Sequence, residues 1–164
     1  MGLVESLARP GGNVTGLSIM TPGLAPKRLE LLKEAVPKLK HVAVLWNAAN
    51  PVKVLDWRET QAAARALGLK LQSLEVRGPT DFQGAFDYAT RDPADAVVVF
   101  GDGLINSHRR QILDFAATRR SPAMYPYREF VDEGGLMSYA PSFTDLFRRA
   151  AVYRRQNSEG RETS

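Results

Sequence analysis

The sequence predicts an α/β protein, a doubly wound and mostly parallel sheet with helices on both faces. Three observations carry that expectation. Two almost uninterrupted apolar runs, HVAVLW at 41–46 and ADAVVVF at 94–100, have the composition of strands buried on both faces. Amphipathic helical stretches alternate with the strands through short connections, at roughly 25 to 30 residues per βα unit. Gly, Pro or Asn punctuates nearly every junction. With 164 residues, 44% of them apolar, the chain is long enough to bury one core.

Each element follows in order. Pro10-Gly11-Gly12-Asn13 is a turn, and Val14 to Met20 reads as a short buried strand closed by Thr21-Pro22-Gly23. From Leu24 onward, Leu29, Leu32, Ala35 and Val36 recur at a three-to-four spacing, with Leu31 beside them. Lys27, Arg28, Glu30, Lys33 and Glu34 fill the other face, and Pro37 stops this helix. After the 41–46 strand, Asn50 is placed to cap a helix that Pro51 begins and Gly68 ends. Leu69 to Val76 alternates as a strand, with Lys70, Gln72 and Glu75 between its apolar positions. Gly78-Pro79 breaks it, and Thr80 or Asp81 caps a helix through Tyr88.

Gly101-Asp102-Gly103 closes the 94–100 strand, and one helix is expected from Ile105 or Asn106 to Thr118. Pro122 to Tyr125 reads as a short strand, Arg128 to Glu133 as a helical turn or two, and Leu136 to Tyr139 as another strand. Thr144 or Asp145 caps a last helix to Arg155, and the polar QNSEGRETS end is expected to be disordered.

Composition excludes several function classes. Zero cysteines remove thiol catalysis, thiolate metal sites and disulfides together. The formal charge is +4, but five Arg against Glu159 and Glu162 from residue 148 onward supply +3 of it. A nearly neutral body with a basic end is a poor footprint for nucleic acid. His41 and His108 are the only histidines, and neither has a spaced partner for a metal or a base–nucleophile pair. There is no Gly-x-Gly-x-x-Gly after a strand, no Walker loop and no acidic cluster of the aspartyl-phosphate kind. The expectation is a protein that is not an enzyme and needs no metal or cofactor. No apolar run approaches the roughly 20 residues of a membrane span.

Binding is the better-equipped function. In an open parallel sheet, ligands sit outside the carboxyl ends of the strands. Three loops there are chemically loaded: Trp46 to Asn50, Gly101-Asp102-Gly103, and Tyr125-Pro126-Tyr127-Arg128. Together they offer an aromatic wall, two amides, a carboxylate and a guanidinium, suited to a small polar molecule. Asp102 would answer a cationic group, and the amides a carboxylate or carbonyl. Plainer readings stand beside these: Asn47 and Asn50 as turn former and cap, Asp102 as a turn residue, Trp46 as core, Arg128 as solvated.

Several segments together resemble one family. LARPGGNVTGLS, KRLELLKEAVPKLKHVAVLWNAANP, AAARALGLKLQSLEVRGPTDFQGAF and the long stretch from SHRRQILDF through GGLMSY to RRAAVY are similar to ABC-transporter substrate-binding proteins of the tryptophan/tyrosine type. The similarity covers about residues 2 to 153, and it rests on the order and spacing of its motifs. It implies the type I periplasmic binding fold, two α/β lobes joined by hinge strands that close on a small solute and deliver it to a membrane permease. By this resemblance the ligand is a small organic solute such as an amino acid. Its contacts fall at Trp46, Asn47 and Asn50, at Asp102 for the ligand's ammonium, at Tyr125 and Tyr127 flanking the cleft, and at Tyr139 beside a hinge. Gly134 and Gly135 mark the second crossover.

The chain then corresponds to the second lobe and the start of the return to the first. Residues 1–10 would begin the hinge, 11–135 form the binding lobe, 136–155 return, and 156–164 form the tail. The apolar face of the last helix (Leu146, Phe147, Ala150, Ala151, Tyr153) would need a partner, such as a second copy of the chain. The resemblance implies a periplasmic address. Residues 1–9 show no export signal, so the sequence as written implies a cytoplasmic one. The alternatives are an effector-sensing domain of a transcription regulator with the same fold, and a truncated product without independent function.

Overall fold

A computed structural model describes residues 24–140, which lie in one compact unit. The expected Val14 to Met20 strand, the last helix with its dimer face, and the tail fall outside the described residues. Helix α1 (Leu24–Ala35) turns Ala25, Leu29 and Leu32 inward. Lys33 Nζ donates to the carbonyls of Pro37 and Leu39, at 3.1 and 2.6 Å, which satisfies groups just beyond the helix end.

Strand β1 (His41–Asn47) leads into helix α2 (Pro51–Ala66), whose first turn is closed by Asn50 Oδ1 accepting the Val52 N–H at 3.1 Å. The far end is a Schellman motif. Gly68, at φ 66°, donates to Arg65, and Leu69 donates to Ala64 at 2.9 Å. Strand β2 (Lys70–Val76) and helix α3 (Asp81–Arg91) follow. Thr80 makes no side-chain cap. Asp81 Oδ2 instead accepts the N–H groups of Arg77 and Gly78, at 2.7 and 3.1 Å, and so braces the turn ahead of the helix.

Strand β3 (Ala96–Val99) is followed by two helices, where periodicity predicted one. Helix α4 (Gly103–Ser107) and helix α5 (Arg109–Arg119) are separated at His108. The His108 ring stacks on Phe82 at 4.5 Å, and its Nδ1 lies 2.8 Å from the Leu104 carbonyl. A side chain anchored in that way favours a break over a continuous helix. Strand β4 (Ala123–Tyr125), helix α6 (Arg128–Asp132) and strand β5 (Met137–Ser138) complete the described chain.

The sheet order is β2-β1-β3-β4-β5, and every pairing is parallel, as the two apolar runs predicted. Successive side chains of a strand point to opposite faces. Accordingly Ala43, Leu45, Val97 and Val99 join Phe82, Phe86, Ile112 and Leu113 in one core layer. Val42, Val44, Ala96 and Val98 join Leu29, Leu32 and Ala64 in the other. Gln72 departs from its expected exposed position. It is buried, and its Nε2 donates to the Asp92 carbonyl at 2.9 Å.

Candidate functional site

The strand order reverses between β1 and β3, and a parallel sheet opens a crevice at such a reversal, beyond the strands' carboxyl ends. Leu45 pairs with Val99, and the Phe100 N–H donates to the Leu45 carbonyl at 2.9 Å. The loops that leave these two strands therefore start side by side. Asn47 Nδ2 donates to Asp102 Oδ2 at 2.6 Å, and Asn50 Nδ2 reaches the same oxygen at 3.5 Å. Asp102 Oδ1 accepts the Ile105 N–H at 2.9 Å and caps α4. The amide oxygens of Asn47 and Asn50 take the N–H groups of Ala49 and Val52.

The three polar side chains thus form a clip between the β1 and β3 loops, with Asn47 as turn former and Asn50 and Asp102 as helix caps. A carboxylate offers about four lone-pair positions. Two of those on Asp102 are filled at short range and a third at the limit of bonding, so the group keeps capacity for one further donor.

Tyr127, half-buried after β4, stands against this clip. A Cβ on Gly101 would come within 2.6 Å of the Tyr127 Cζ and hydroxyl and 2.7 Å of the Pro126 Cβ. Only glycine allows that approach. Burial pushes the Tyr127 phenol above its ordinary range; the nearby Arg28 guanidinium pulls it down, and Asp102 pushes it further up.

Three residues that the sequence reading left unnoticed lie close by. Arg28, assigned to the solvent face of α1, is only 6% exposed. Its Nε donates to the Tyr139 carbonyl at 2.8 Å and its Nη2 to the Pro126 carbonyl at 3.4 Å. Burial lowers its pKa, partly offset by Asp56. Lys53 and Asp56, on α2, form a buried ion pair at 2.6 Å. A legible signal existed: Lys53, Asp56, Thr60 and Ala64 make one helical stripe that is buried, while Val52 and Leu55 point outward.

Other expected positions fall elsewhere. Trp46 is 4% exposed, stacks on Trp57 at 5.6 Å, and donates its indole N–H to Ser73 Oγ at 2.8 Å. It serves the core, because a side chain on an inner strand of a covered sheet faces the helices and not the crevice. Tyr125 is 2% exposed and stacked on Phe130 at 4.9 Å; burial pushes its phenol up to about 12. Tyr139 is exposed and meets Arg28 through its carbonyl.

Gly134, at φ 107°, and Gly135 close α6 as a second Schellman pair, donating to Val131 and Phe130. Arg128 is solvated beside Asp132, and the buried guanidinium that bonds the Pro126 carbonyl is that of Arg28. Among the described residues there is no group of three potential metal ligands, and no helix is long and apolar enough to cross a membrane.

The described residues thus form an α/β lobe with a clip of polar side chains at the switch point of its sheet. The chain belongs to the family of ABC transporter substrate-binding proteins, whose sequence profile matches residues 1–162. An ABC domain from Streptococcus pneumonia, solved in complex with L-Trp, superposes with a TM-score of 0.77 at 26% identity, over 96% of this chain and 52% of that one. A conserved domain protein from Vibrio cholerae gives a TM-score of 0.78 at 25% identity, again over 96% and 52%. A tyrosine-binding protein of Clostridioides difficile is 46% identical over 48 residues, which are 29% of this chain and 13% of that protein. The chain spans about half the length of the solved relatives it matches.

Proposed function

We propose that the chain is the extracytoplasmic solute-binding component of an ABC uptake system, that its solute is an amino acid, and that it hands the solute to a permease without chemical change. The observation that carries this reading is the placement of Asp102. It stands at the switch point, held by Asn47 and Ile105, with acceptor capacity left for a ligand ammonium. Tyr127 supplies an aromatic face beside it, and Asn50 a second amide. The relatives solved with L-Trp or named for tyrosine make aromatic amino acids the first candidates. In this reading residues 11–135 form one wall of a cleft. The Gly134-Gly135 pair and Tyr139 lie where the chain would hinge.

A thermal-shift screen of the full chain against the amino acids and small organic acids tests it. Ligand stabilisation follows mass action, so solute at about ten times its Kd adds about 1.4 kcal/mol and raises Tm by a few degrees. The expected outcome is a shift for one or a few aromatic amino acids that Asp102→Asn removes. A flat profile across the whole panel contradicts the proposal.

A further inference from the structure

We infer that Arg28 is the anion-reading, specificity-determining residue of this site, bonded at the Pro126-Tyr127 segment that packs against the Gly101-Asp102 turn, so that a zwitterionic solute meets opposite charges at its two ends. The inference deepens the amino-acid reading and rests on it for the zwitterion, though not for the anion. Arg28 reaches the carboxyl edge of the sheet by bonding the carbonyls of Pro126, next to Tyr127, and Tyr139, just after β5. Its Nε–H and one Nη2–H are thereby used; among the described residues the Nη1 donors have no acceptor.

The charge count points the same way. The carboxylate that acts on Arg28 is that of Asp56, which is already bonded to Lys53 at 2.6 Å. Among the described residues the buried cluster therefore holds two cations, Arg28 and Lys53, against one carboxylate. Burying a guanidinium is unfavourable unless it is paired and hydrogen-bonded. A solute carboxylate meets both requirements, and a guanidinium is well shaped to receive one. Pro126 and Tyr127 join the two poles: Arg28 Nη2 bonds the Pro126 carbonyl, and both residues pack against Gly101, the neighbour of Asp102.

The test uses the full chain and three probes that share one ring: L-tryptophan, tryptamine without the carboxylate, and indole-3-propionate without the ammonium. Arg28→Gln retains donors for the two carbonyls but removes the charge, and Arg28→Lys restores a charge. In Arg28→Gln, L-tryptophan and indole-3-propionate are expected to bind about tenfold more weakly or worse, the range lost with a charged hydrogen bond. Tryptamine should be unchanged, and Arg28→Lys should recover part of the loss. Asp102→Asn should show the reverse, losing tryptamine and sparing indole-3-propionate.

A merely structural arginine would weaken all three probes alike, and that result overturns the inference while leaving the amino-acid reading in place. If indole-3-propionate alone binds in an Arg28-dependent way, the amino-acid reading fails and the anion site stands. If none of the three binds, both are overturned. Should Arg28→Gln not fold, Arg28→Lys is read alone: weaker binding of L-tryptophan and indole-3-propionate with tryptamine spared supports the inference, and equal binding of all three probes or an equal loss of all three overturns it.

Discussion

Replacing Asp102 with Ala removes the side chain on which the β1 and β3 loops converge, and the loss can be worked from the individual contacts. The bond from the Ile105 N–H at 2.9 Å is an N-cap, worth about 1 kcal/mol. The bond from Asn47 Nδ2 at 2.6 Å is short and charge-assisted in a half-buried setting, worth about 1 to 2 kcal/mol. The Asn50 contact at 3.5 Å is at the limit of bonding and adds little. Asp102→Ala should therefore destabilise by about 2 to 3 kcal/mol, and at about 2–4 °C per kcal/mol for a chain of this length Tm falls by about 5–10 °C.

Urea unfolding followed by far-ultraviolet circular dichroism measures the change as a lower midpoint at constant slope. Asp102→Asn should fall between the two, because Asn caps as well as Asp but sets an amide against the Asn47 amide. An Asp102→Ala chain within about 0.5 kcal/mol of wild type would refute the reasoning, since the carboxylate would then hold neither loop.

Three further outcomes follow from other parts of the structure. Gly68→Ala places a Cβ in open space but at φ 66°, so its cost is backbone strain alone, about 1 kcal/mol, read as a shifted urea midpoint. Lys53→Met strands the Asp56 carboxylate in a buried setting and should cost about 3–5 kcal/mol, whereas Lys53→Met combined with Asp56→Leu should recover most of that stability. The Tyr125 phenol stays neutral in the folded state up to about 12, against about 10 when unfolded. Below pH 10 its contribution is therefore complete. Between pH 10 and 12 the unfolded chain ionises first, and stability falls by on the order of 2 to 3 kcal/mol. Tyr125→Phe should flatten that part of an alkaline unfolding profile.

The fold was legible where one local rule decides the outcome. HVAVLW and AVVV had to be strands covered on both faces, Asn50-Pro51 had to open a helix, and Gly68 had to end it. The clip on the chain's own turns was legible in part, because Asn47, Asn50 and Asp102 closely follow strands that end at a switch point.

What the sequence hid depends on contacts between distant segments. The break at His108 needs Phe82 from another helix. Trp46 and Tyr125 carry polar tips that suggest a ligand wall, but their rings point into layers built by Trp57 and Phe130. Arg28 looked solvent-facing because helical periodicity counts a charged residue as outward. Its burial depends on carbonyls about a hundred positions further along the chain, which no local pattern contains.

The most direct test of the account is where a solute touches this chain. Titration of the isotopically labelled full chain with L-tryptophan, followed by amide NMR, reads that position residue by residue. Saturable shifts are expected at the Asn47 and Asn50 side-chain amides and at the Ile105 and Tyr127 N–H groups. The opposite edge of the sheet, where the Lys40 and His41 N–H groups bond Asp95, should stay unmoved. Saturable shifts at that opposite edge, with the Asn47–Asp102 clip unchanged, would contradict it.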